Sequence, residues 1–206
     1  PVQGESGIRI PAPTYLNELR HLCDTHNMLL MLDEVQTGNA RTGTYFNYQQ
    51  SGILPDLVTT AKGLGNGMPI GACLARGKAA TVFQPGNHGS TFGGNPLACA
   101  VGAAVVKYIQ KNNIAQRAGE LGERMQNAFR ERLSGLNNVI EVRGRGLMIG
   151  IELDSPCTDL VAKAMDNGLL INVTSENTIR LLPPLVISDD EADKIVDMVS
   201  SLIEQI

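Results

Sequence analysis

Hydrophobic and polar positions along the chain alternate between helical spacing and the short apolar runs of buried strands. In the first half the predicted elements are a helix around 15–23 that stops at a left-handed Asn27, strands at 28–32, 57–60 and 70–75, and a long helix over 93–110. The run Met28–Leu32 is apolar at every position, which is typical of a parallel strand covered on both faces. Because this run ends in Asp33, we expect a carboxylate at the carboxyl edge of the sheet.

The second half continues the alternation with more closely spaced strands. The predicted elements are a helix over 114–133, strands at 139–142 and 147–153, a helix at 159–166, and strands at 169–173 and 179–182. Ser188 and Glu191 form a capping-box pattern that opens a last helix. Its predicted inner face contains Ile195, Met198, Val199, Leu202 and Ile206. The pattern predicts an α/β chain of two parts that divide near residue 110.

Composition excludes several classes of function. The chain has 206 residues, 43% of them hydrophobic, and a formal net charge of -4 with scattered Lys and Arg, so it offers no basic surface for nucleic acid. No apolar run approaches the roughly 20 residues that span a bilayer. The cysteines have no metal-binding spacing and predict buried, reduced thiols in a cytoplasmic protein; they are Cys23, Cys73, Cys99 and Cys157. Because the chain starts at Pro1 rather than methionine, we expect a fragment or a cleaved chain.

Asp33 and Lys62 both follow predicted strands, where α/β sheets bind their ligands. Taken alone, Asp33 is better explained by a loop cap than by a ligand group. Lys62 precedes the glycine-rich segment Gly63–Gly67, but the GKS or GKT pattern of a phosphate-binding loop is absent. A solvated surface lysine is the other ordinary explanation. The chemical alternative is a lysine that forms a Schiff base from a partly desolvated pocket, with an aspartate partner for a pyridine nitrogen.

The segment His88–Pro96 supplies a third candidate feature. It precedes a predicted long helix, so its hydroxyls and backbone N–H groups would converge at the positive end of the helix dipole and form an anion site. The simpler alternative is that Ser90 or Thr91 caps the helix, with His88 as a turn residue.

Together these segments resemble the class III pyridoxal-phosphate (PLP) aminotransferases. The matching motifs are Leu32-Asp33-Glu34-Val35-Gln36-Thr37-Gly38, Thr60-Ala61-Lys62-Gly63-Leu64-Gly65, His88-Gly89-Ser90-Thr91-Phe92-Gly93-Gly94-Asn95-Pro96 and Arg180-Leu181-Leu182-Pro183-Pro184-Leu185. The resemblance implies the α/β fold of type I PLP-dependent transferases, with a mainly parallel sheet. Residues 1–110 would be the C-terminal part of the large PLP-binding domain, and residues 111–206 the C-terminal small domain.

The resemblance also implies roles around the cofactor. Lys62 would form the internal aldimine and move the proton between the substrate carbon and the cofactor. Asp33 would pair with the pyridine nitrogen, Val35 would pack on the ring, and Gln36 would bind the phenolic oxygen. Glu34 would support these residues from behind without touching the cofactor ring.

Further residues are implied in substrate and phosphate binding. Thr91 would bind the phosphate of the cofactor in the neighbouring subunit of a homodimer, with Ser90 beside it near the substrate. Arg180 would bind the second carboxylate of glutamate or 2-oxoglutarate, and Glu5 would neutralise it. No metal is implied.

Within the class, the stretch from Phe83 to Ala100 most resembles the acetylornithine aminotransferases, which transfer an amino group from N-acetylornithine to 2-oxoglutarate in arginine biosynthesis. Other ω-amino-acid aminotransferases (ornithine, succinylornithine, 4-aminobutyrate), an aminomutase and an inactive half-chain module stay open as alternatives. The chain departs from the class pattern at Ser6 and at Ala40, where a left-handed turn would be strained. The resemblance covers only a C-terminal half, so we expect the fragment alone to be inactive.

Overall fold

The chain divides into two compact units in the computed structural model, which describes all residues from 1 to 206. The first unit contains Pro1, Pro11–Ala40 and Thr44–Ala115. The second contains Val2–Ile10, Arg41–Gly43 and Gln116–Ile206. The main division therefore follows Ala115, close to the predicted residue 110, whereas the sequence did not indicate that two early segments join the second unit. The assignment of these units to domains of a larger enzyme stays a prediction.

The first unit combines a three-stranded sheet with two main helices. Its elements are α1 (Tyr15–Thr25), β1 (Met31–Asp33), β2 (Leu57–Thr60), β3 (Ala72–Ala75) and α2 (Pro96–Lys111). The strand order is β1-β2-β3, with β1 parallel to β2 and β2 antiparallel to β3. This confirms the α/β fold, but the sheet of this unit is mixed rather than mainly parallel. Asn27 has a φ of 52° after α1, so the predicted left-handed stop is confirmed.

Two predictions for the first unit are wrong in detail. Strand β1 begins at Met31 rather than Met28, because the N–H of Leu30 binds the side chain of Asp56 (2.8 Å) before strand pairing starts. The run is not covered on both faces either, since Leu32 is buried but Met31 is 57% exposed. The face that carries Met31 has no covering element in this chain.

The long helix α2 also begins later than its composition indicated. Asn95 is the N-cap, and its side-chain oxygen accepts a hydrogen bond from the N–H of Ala98 (2.9 Å), with Pro96 at the first helical position. Ser90 and Thr91 therefore lie in a turn before the helix, and neither caps it. Ile70 likewise lies outside β3, which starts at Ala72.

The second unit is built on a four-stranded antiparallel sheet. Its elements are α3 (Ile114–Arg132), β4 (Val139–Arg145), β5 (Met148–Leu153), α4 (Leu160–Asp166), β6 (Asn172–Thr174), β7 (Thr178–Leu181) and α5 (Asp189–Ile203). The strand order is β4-β5-β7-β6. Apolar side chains of α3, α4 and α5 form one core with those of β5 and β7, and Phe129, Ile151 and Ile203 are fully buried. Every predicted element of this half exists, although β6 starts at Asn172 rather than Leu169.

Helix α5 confirms the capping box but not the predicted inner face. The Ser188 hydroxyl accepts the N–H of Glu191, whose carboxylate accepts the N–H of Ser188. The buried face contains Ala192, Val196, Val199, Leu202 and Ile203. Ile195 and Met198 are only partly buried, and Ile206 is exposed beyond the helix. The buried stripe thus shares Val199 and Leu202 with the predicted face and differs from it at the other three positions.

The segment Val2–Ile10 is held on the sheet of the second unit by buried charges. Arg143 on β4 donates from Nε to the carbonyls of Gly7 and Ile8 (both 3.0 Å). Its Nη1 binds Glu152 on β5, and Arg9 binds the same carboxylate through two contacts of 2.9 and 3.0 Å. Burial raises the pKa of Glu152, but the hydrogen bonds from Arg9 and Arg143 outweigh it and hold the pKa below its ordinary value.

We expect Glu152→Gln to lower the free energy of unfolding by about 1.5 kcal/mol, the scale of a hydrogen bond to a charged group. Since the folded pKa of Glu152 is depressed, its contribution is present above the ordinary carboxyl pKa of about 4.3 and is lost as pH falls through the folded value. Urea unfolding should therefore show a gap between the variant and the parent at pH 7 that narrows below about pH 4. Glu141→Gln is the matched control: Glu141 binds the same Arg143 but its side chain is 54% exposed, so its loss should cost less than about 0.5 kcal/mol. Equal losses in the two variants would contradict the role of burial.

The four cysteines are all free, but only Cys23 and Cys157 are buried. Cys73 and Cys99 are exposed, so the prediction of buried thiols is wrong for these two. No helix has the length and apolar character to cross a membrane. No group of His, Cys, Asp and Glu side chains has the arrangement of a metal site.

Candidate active site

Asp33 is the last residue of β1 and lies at the carboxyl edge of the parallel pair. It is in register with Thr59 of β2, and the N–H of Glu34 extends the pairing to the carbonyl of Thr59 (2.9 Å). The Asp33 side chain is exposed, and its Oδ1 accepts the N–H of Val35 (2.8 Å). One carboxylate oxygen is thus fixed by the following turn, and the charged group stands at the sheet edge.

The loop after Asp33 is organised around the buried carboxylate of Glu34. Glu34 is fully buried, and its oxygens accept the N–H groups of Asn47 (3.0 Å) and Tyr48 (2.9 Å) and the hydroxyl of Thr37. Because this carboxylate is enclosed, it holds the loop in place and is not accessible from solvent. The loop holds its other two predicted site residues, Val35 and Gln36, half-buried.

Lys62 lies at the same edge, two residues beyond the end of β2. It begins a short 3-10 helix, Lys62–Leu64, which is closed by hydrogen bonds from the N–H of Leu64 to the carbonyl of Ala61 (2.9 Å) and from the N–H of Gly65 to the carbonyl of Lys62 (3.1 Å). The side chain is exposed and takes part in no ion pair. The expected partly desolvated pocket is therefore not formed by this chain, and the amine is accessible to solvent.

Gly65 shows why the loop after Lys62 needs a glycine. A Cβ atom at this position would lie 2.0 Å from the carbonyl oxygen of Met68 and 2.7 Å from a methyl group of Ile70. The backbone turns so closely on itself that no side chain fits. The glycine thus lets the chain turn back immediately after the lysine.

Ser90 and Thr91 lie in an exposed turn in which the N–H of Gly93 binds the carbonyl of Ser90 (3.2 Å). Because Asn95 occupies the helix cap, the alternative in which Ser90 or Thr91 caps α2 is wrong. Both hydroxyls remain accessible on the surface of the first unit. Their roles toward a phosphate and a substrate stay predictions.

Arg180 and Glu5 form the ion pair that the resemblance implied. Both belong to the second unit: Arg180 lies on β7 between Gly150 and Asn172, and Glu5 lies on the early segment that packs with this unit. Nη1 of Arg180 is 2.6 Å from Oε1 of Glu5. The arginine side chain is 12% exposed and that of Glu5 is 70% exposed. A well-buried guanidinium is thus covered by an accessible carboxylate.

Asn39 was not among the predicted site residues. It is buried, and its side chain binds Thr60 and the carbonyl of Ala61, next to Lys62. It has a φ of 54°, and the following Ala40 has a φ of 74°, so the left-handed turn anticipated at Ala40 does form. The one sequence signal was an asparagine in a turn, where a left-handed conformation is tolerated.

The groups at the sheet edge fit the requirements of PLP. That cofactor needs an amine to hold its aldehyde carbon and an acidic partner for its ring nitrogen. Lys62 and Asp33 supply these two groups from the ends of adjacent parallel strands, where ligands of α/β sheets bind. Both side chains are accessible, and neither is paired with an opposite charge of this chain.

Comparison with known proteins identifies a family that uses PLP. The family model described as aminotransferase class-III matches residues 1–203. Acetylornithine aminotransferase 1 of Bordetella bronchiseptica is 53% identical over 99% of this chain and 52% of its own length. Acetylornithine aminotransferase of Methanothermobacter thermautotrophicus is 45% identical over 100% of this chain and 53% of its own length. The chain spans about half the length of the curated relatives it matches.

Solved structures agree with the sequence relatives. The acetylornithine aminotransferase of Elizabethkingia anophelis superposes with a TM-score of 0.94 at 38% identity, over 100% of this chain and 53% of the other. The ornithine aminotransferase of Toxoplasma gondii superposes with a TM-score of 0.94 at 39% identity, over 98% of this chain and 49% of the other. The fold is that of type I PLP-dependent enzymes, and the chain belongs to the class III aminotransferase family.

Proposed function

We propose that this chain is part of a PLP-dependent aminotransferase that transfers an amino group from N-acetylornithine to 2-oxoglutarate. The observation that carries the proposal is the placement of Lys62 and Asp33 at the ends of the parallel strands β1 and β2. The donor is proposed from the relatives named above, which are acetylornithine aminotransferases at 45–53% identity. This reaction would place the protein in arginine biosynthesis.

The cofactor would supply an aldehyde carbon that binds amines and a ring that accepts an electron pair. Lys62 would hold the cofactor through its amine and, once displaced by the substrate amine, would serve as the base that moves the proton from the substrate carbon. Its exposure leaves the amine free to swing between these tasks. Asp33 would accept the ring N–H, and the hydrogen bond from Val35 to Oδ1 would fix the orientation of the carboxylate.

The neighbouring loop residues would complete the cofactor contacts. Val35 would pack on the ring and Gln36 would bind its phenolic oxygen, on a loop that Glu34 fixes from beneath. In a homodimer, Thr91 would bind the phosphate of the partner's cofactor and Ser90 would lie near the partner's substrate. The exposure of both hydroxyls in this chain supports this, because a surface turn can reach a second subunit.

Arg180 would bind the side-chain carboxylate of glutamate and 2-oxoglutarate. A guanidinium suits this task because it binds carboxylates through a planar pair of donors. Glu5 would cover it during the other half-reaction. We place the protein in the cytoplasm, where exposed thiols such as Cys73 and Cys99 stay reduced.

A second candidate is ornithine as the amino donor. It rests on the superposition on an ornithine aminotransferase, whose TM-score of 0.94 equals that of the acetylornithine aminotransferase. Free and acetylated ornithine differ in the charge of one nitrogen, so the two donors are separated by direct comparison.

The test uses the intact protein, by which we mean the whole aminotransferase of which this chain is proposed to be a part. We expect borohydride reduction of this protein with PLP to attach the cofactor to Lys62, detected by peptide mapping. Lys62 is the one lysine at the carboxyl edge of the parallel pair. Lys78, whose amine binds Asn27 (2.7 Å), and Lys107 on α2 serve as internal controls. Incubation with N-acetylornithine before reduction should abolish the label on Lys62, because the amine of the donor would replace the Lys62 amine on the cofactor.

The outcomes distinguish the alternatives. A label on Lys78 or Lys107 would overturn the assignment of the active lysine. A label on Lys62 that ornithine removes much faster than N-acetylornithine would replace the proposed donor. A label on Lys62 that no amino donor removes would favour an inactive module.

A further inference from the structure

The backbone at Lys62 has a conformation that lysine does not favour. Lys62 has a φ of 46°, in the left-handed region, and Ala61 before it is extended, with φ -162° and ψ -146°. A side chain with a Cβ atom pays about 1–2 kcal/mol in the left-handed region. Such a conformation persists only where surrounding contacts enforce it, and such residues cluster at functional sites.

Asn39 supplies the contacts that enforce it. Its Nδ2 donates to the hydroxyl of Thr60 (2.9 Å) and to the carbonyl of Ala61 (3.2 Å). The Ala61 carbonyl belongs to the peptide group that contains the N–H of Lys62. The hydrogen bond from Asn39 therefore fixes the orientation of the peptide plane directly before the Lys62 Cα atom. Asn39 is 2% exposed, and Thr60 is 4% exposed. Buried hydrogen bonds of this kind are costly to break because the groups left behind have no water.

The orientation of the Asn39 amide is determined by its neighbours. The Ala61 carbonyl can only accept, so the NH₂ end must face it. The hydroxyl of Tyr45 donates to the other end, Oδ1, at 3.2 Å. Burial raises the pKa of Tyr45, so its hydroxyl keeps its proton and remains a donor across the neutral range.

Gly63 shows how closely Asn39 approaches the lysine loop. A Cβ atom built at Gly63 would lie 3.2 Å from Cβ of Asn39. The residue directly after Lys62 thus packs against the backbone end of the same asparagine that binds the residue before it. Asn39 therefore contacts the chain on both sides of Lys62.

We propose that Asn39, oriented by Tyr45, is a positioning residue that holds the Ala61–Lys62 peptide so that the Lys62 amine is presented at the carboxyl edge of the sheet. The functional part of this inference rests on the proposed role of Lys62 as the cofactor-binding amine. Without Asn39 the peptide would relax toward negative φ, and the lysine side chain would leave the strand end in another direction.

The test compares Asn39→Asp with Asn66→Asp in the intact protein. Asp tolerates positive φ and keeps an acceptor for Tyr45, but it loses the donor and places a carboxylate against the Ala61 carbonyl. Asn66 is the matched control, since it has a φ of 45° in the same loop and is exposed. Two quantities are measured: deuterium exchange of the Leu64 and Gly65 amides without cofactor, and the rate at which Lys62 captures added PLP, followed by visible absorbance and confirmed by borohydride mapping.

We expect Asn39→Asp to speed exchange of these amides about 10-fold and to slow capture by Lys62 about 10-fold, the size of one lost buried hydrogen bond. Asn66→Asp should change neither quantity. Unchanged exchange in Asn39→Asp would overturn the inference, and so would faster exchange with an unchanged capture rate, since Asn39 would then be only structural.

Failure of the proposed function would look different. In that case the unsubstituted protein would carry the borohydride label on a lysine other than Lys62, and the positioning role would fall with it. If Asn39→Asp does not fold, Tyr45→Phe, which removes a single hydroxyl, should change both quantities in the same directions by about 3-fold. No change in Tyr45→Phe would overturn the orienting role assigned to Tyr45 and the proposal with it.

Discussion

Asp33→Asn is expected to reduce turnover of the intact protein about 100-fold while PLP remains bound. The amide preserves the shape of the side chain, and its Oδ1 can still accept the N–H of Val35, so the loop should keep its geometry. What is lost is the negative charge that holds a proton on the cofactor's ring nitrogen. Loss of one preorganised electrostatic partner in an active site costs about 10²–10³ in turnover.

Turnover of the Asp33→Asn variant is compared with cofactor content, measured by absorbance after the protein is denatured. Asp24→Asn is the matched control, because Asp24 is an exposed aspartate of the same unit that pairs with Arg20 on the surface of α1. Its variant should retain the turnover of the parent. Near-normal turnover by Asp33→Asn would contradict the role of Asp33, and loss of cofactor together with turnover would make Asp33 a binding group only.

Elements whose signals are local were predicted correctly from the sequence. The strand Leu57–Thr60 has the predicted bounds, and the box of Ser188 and Glu191 opens α5 as expected. Both depend on neighbouring residues in the chain: an apolar run between turn residues and a reciprocal pair three positions apart. The predicted burial of both faces of the Met28–Leu32 strand depended instead on which elements pack against the sheet. An apolar run does not specify those elements.

The site shows the same division between local and distant contacts. Asp33 and Lys62 could be located because ligand groups of α/β sheets follow the ends of strands. The enclosure of Glu34 depends on N–H groups at Asn47 and Tyr48, which a local pattern does not connect to it. Asn39 was missed for the same reason, since its partners beside Lys62, Thr60 and Ala61, lie more than 20 positions further along the chain.

Under the proposed function, the ion pair of Glu5 and Arg180 would let one arginine serve two different substrates. A ping-pong aminotransferase must bind a dicarboxylate in one half-reaction and an acylated diamine in the other. A permanently free Arg180 would favour glutamate, whereas the carboxylate of Glu5, at 2.6 Å, neutralises it. The asymmetry of exposure suits a switch, because Glu5 is accessible and can move away while Arg180 stays on β7.

The ordinary alternative is an ion pair that only ties the early segment to the sheet. The bridge of Arg9 and Glu152 and the carbonyls bound by Arg143 already hold this segment to β4 and β5. The N-terminal segment therefore has other anchors near Glu5. A purely structural role would leave the ratio of the two half-reactions unchanged.

We expect Glu5→Gln to shift selectivity about 5-fold toward glutamate and away from N-acetylornithine, while PLP still binds Lys62. Removing the charge of Glu5 leaves the guanidinium uncovered, and an ion pair with an exposed carboxylate contributes at most about 1 kcal/mol, which corresponds to this factor. The measurement is the ratio of kcat/KM for the two amino donors, which reports differential binding in the transition state. Glu141→Gln, which alters an exposed carboxylate of the same unit, should leave the ratio unchanged. If kcat/KM falls equally for both donors in Glu5→Gln, Glu5 is a structural partner of Arg180 and not a switch.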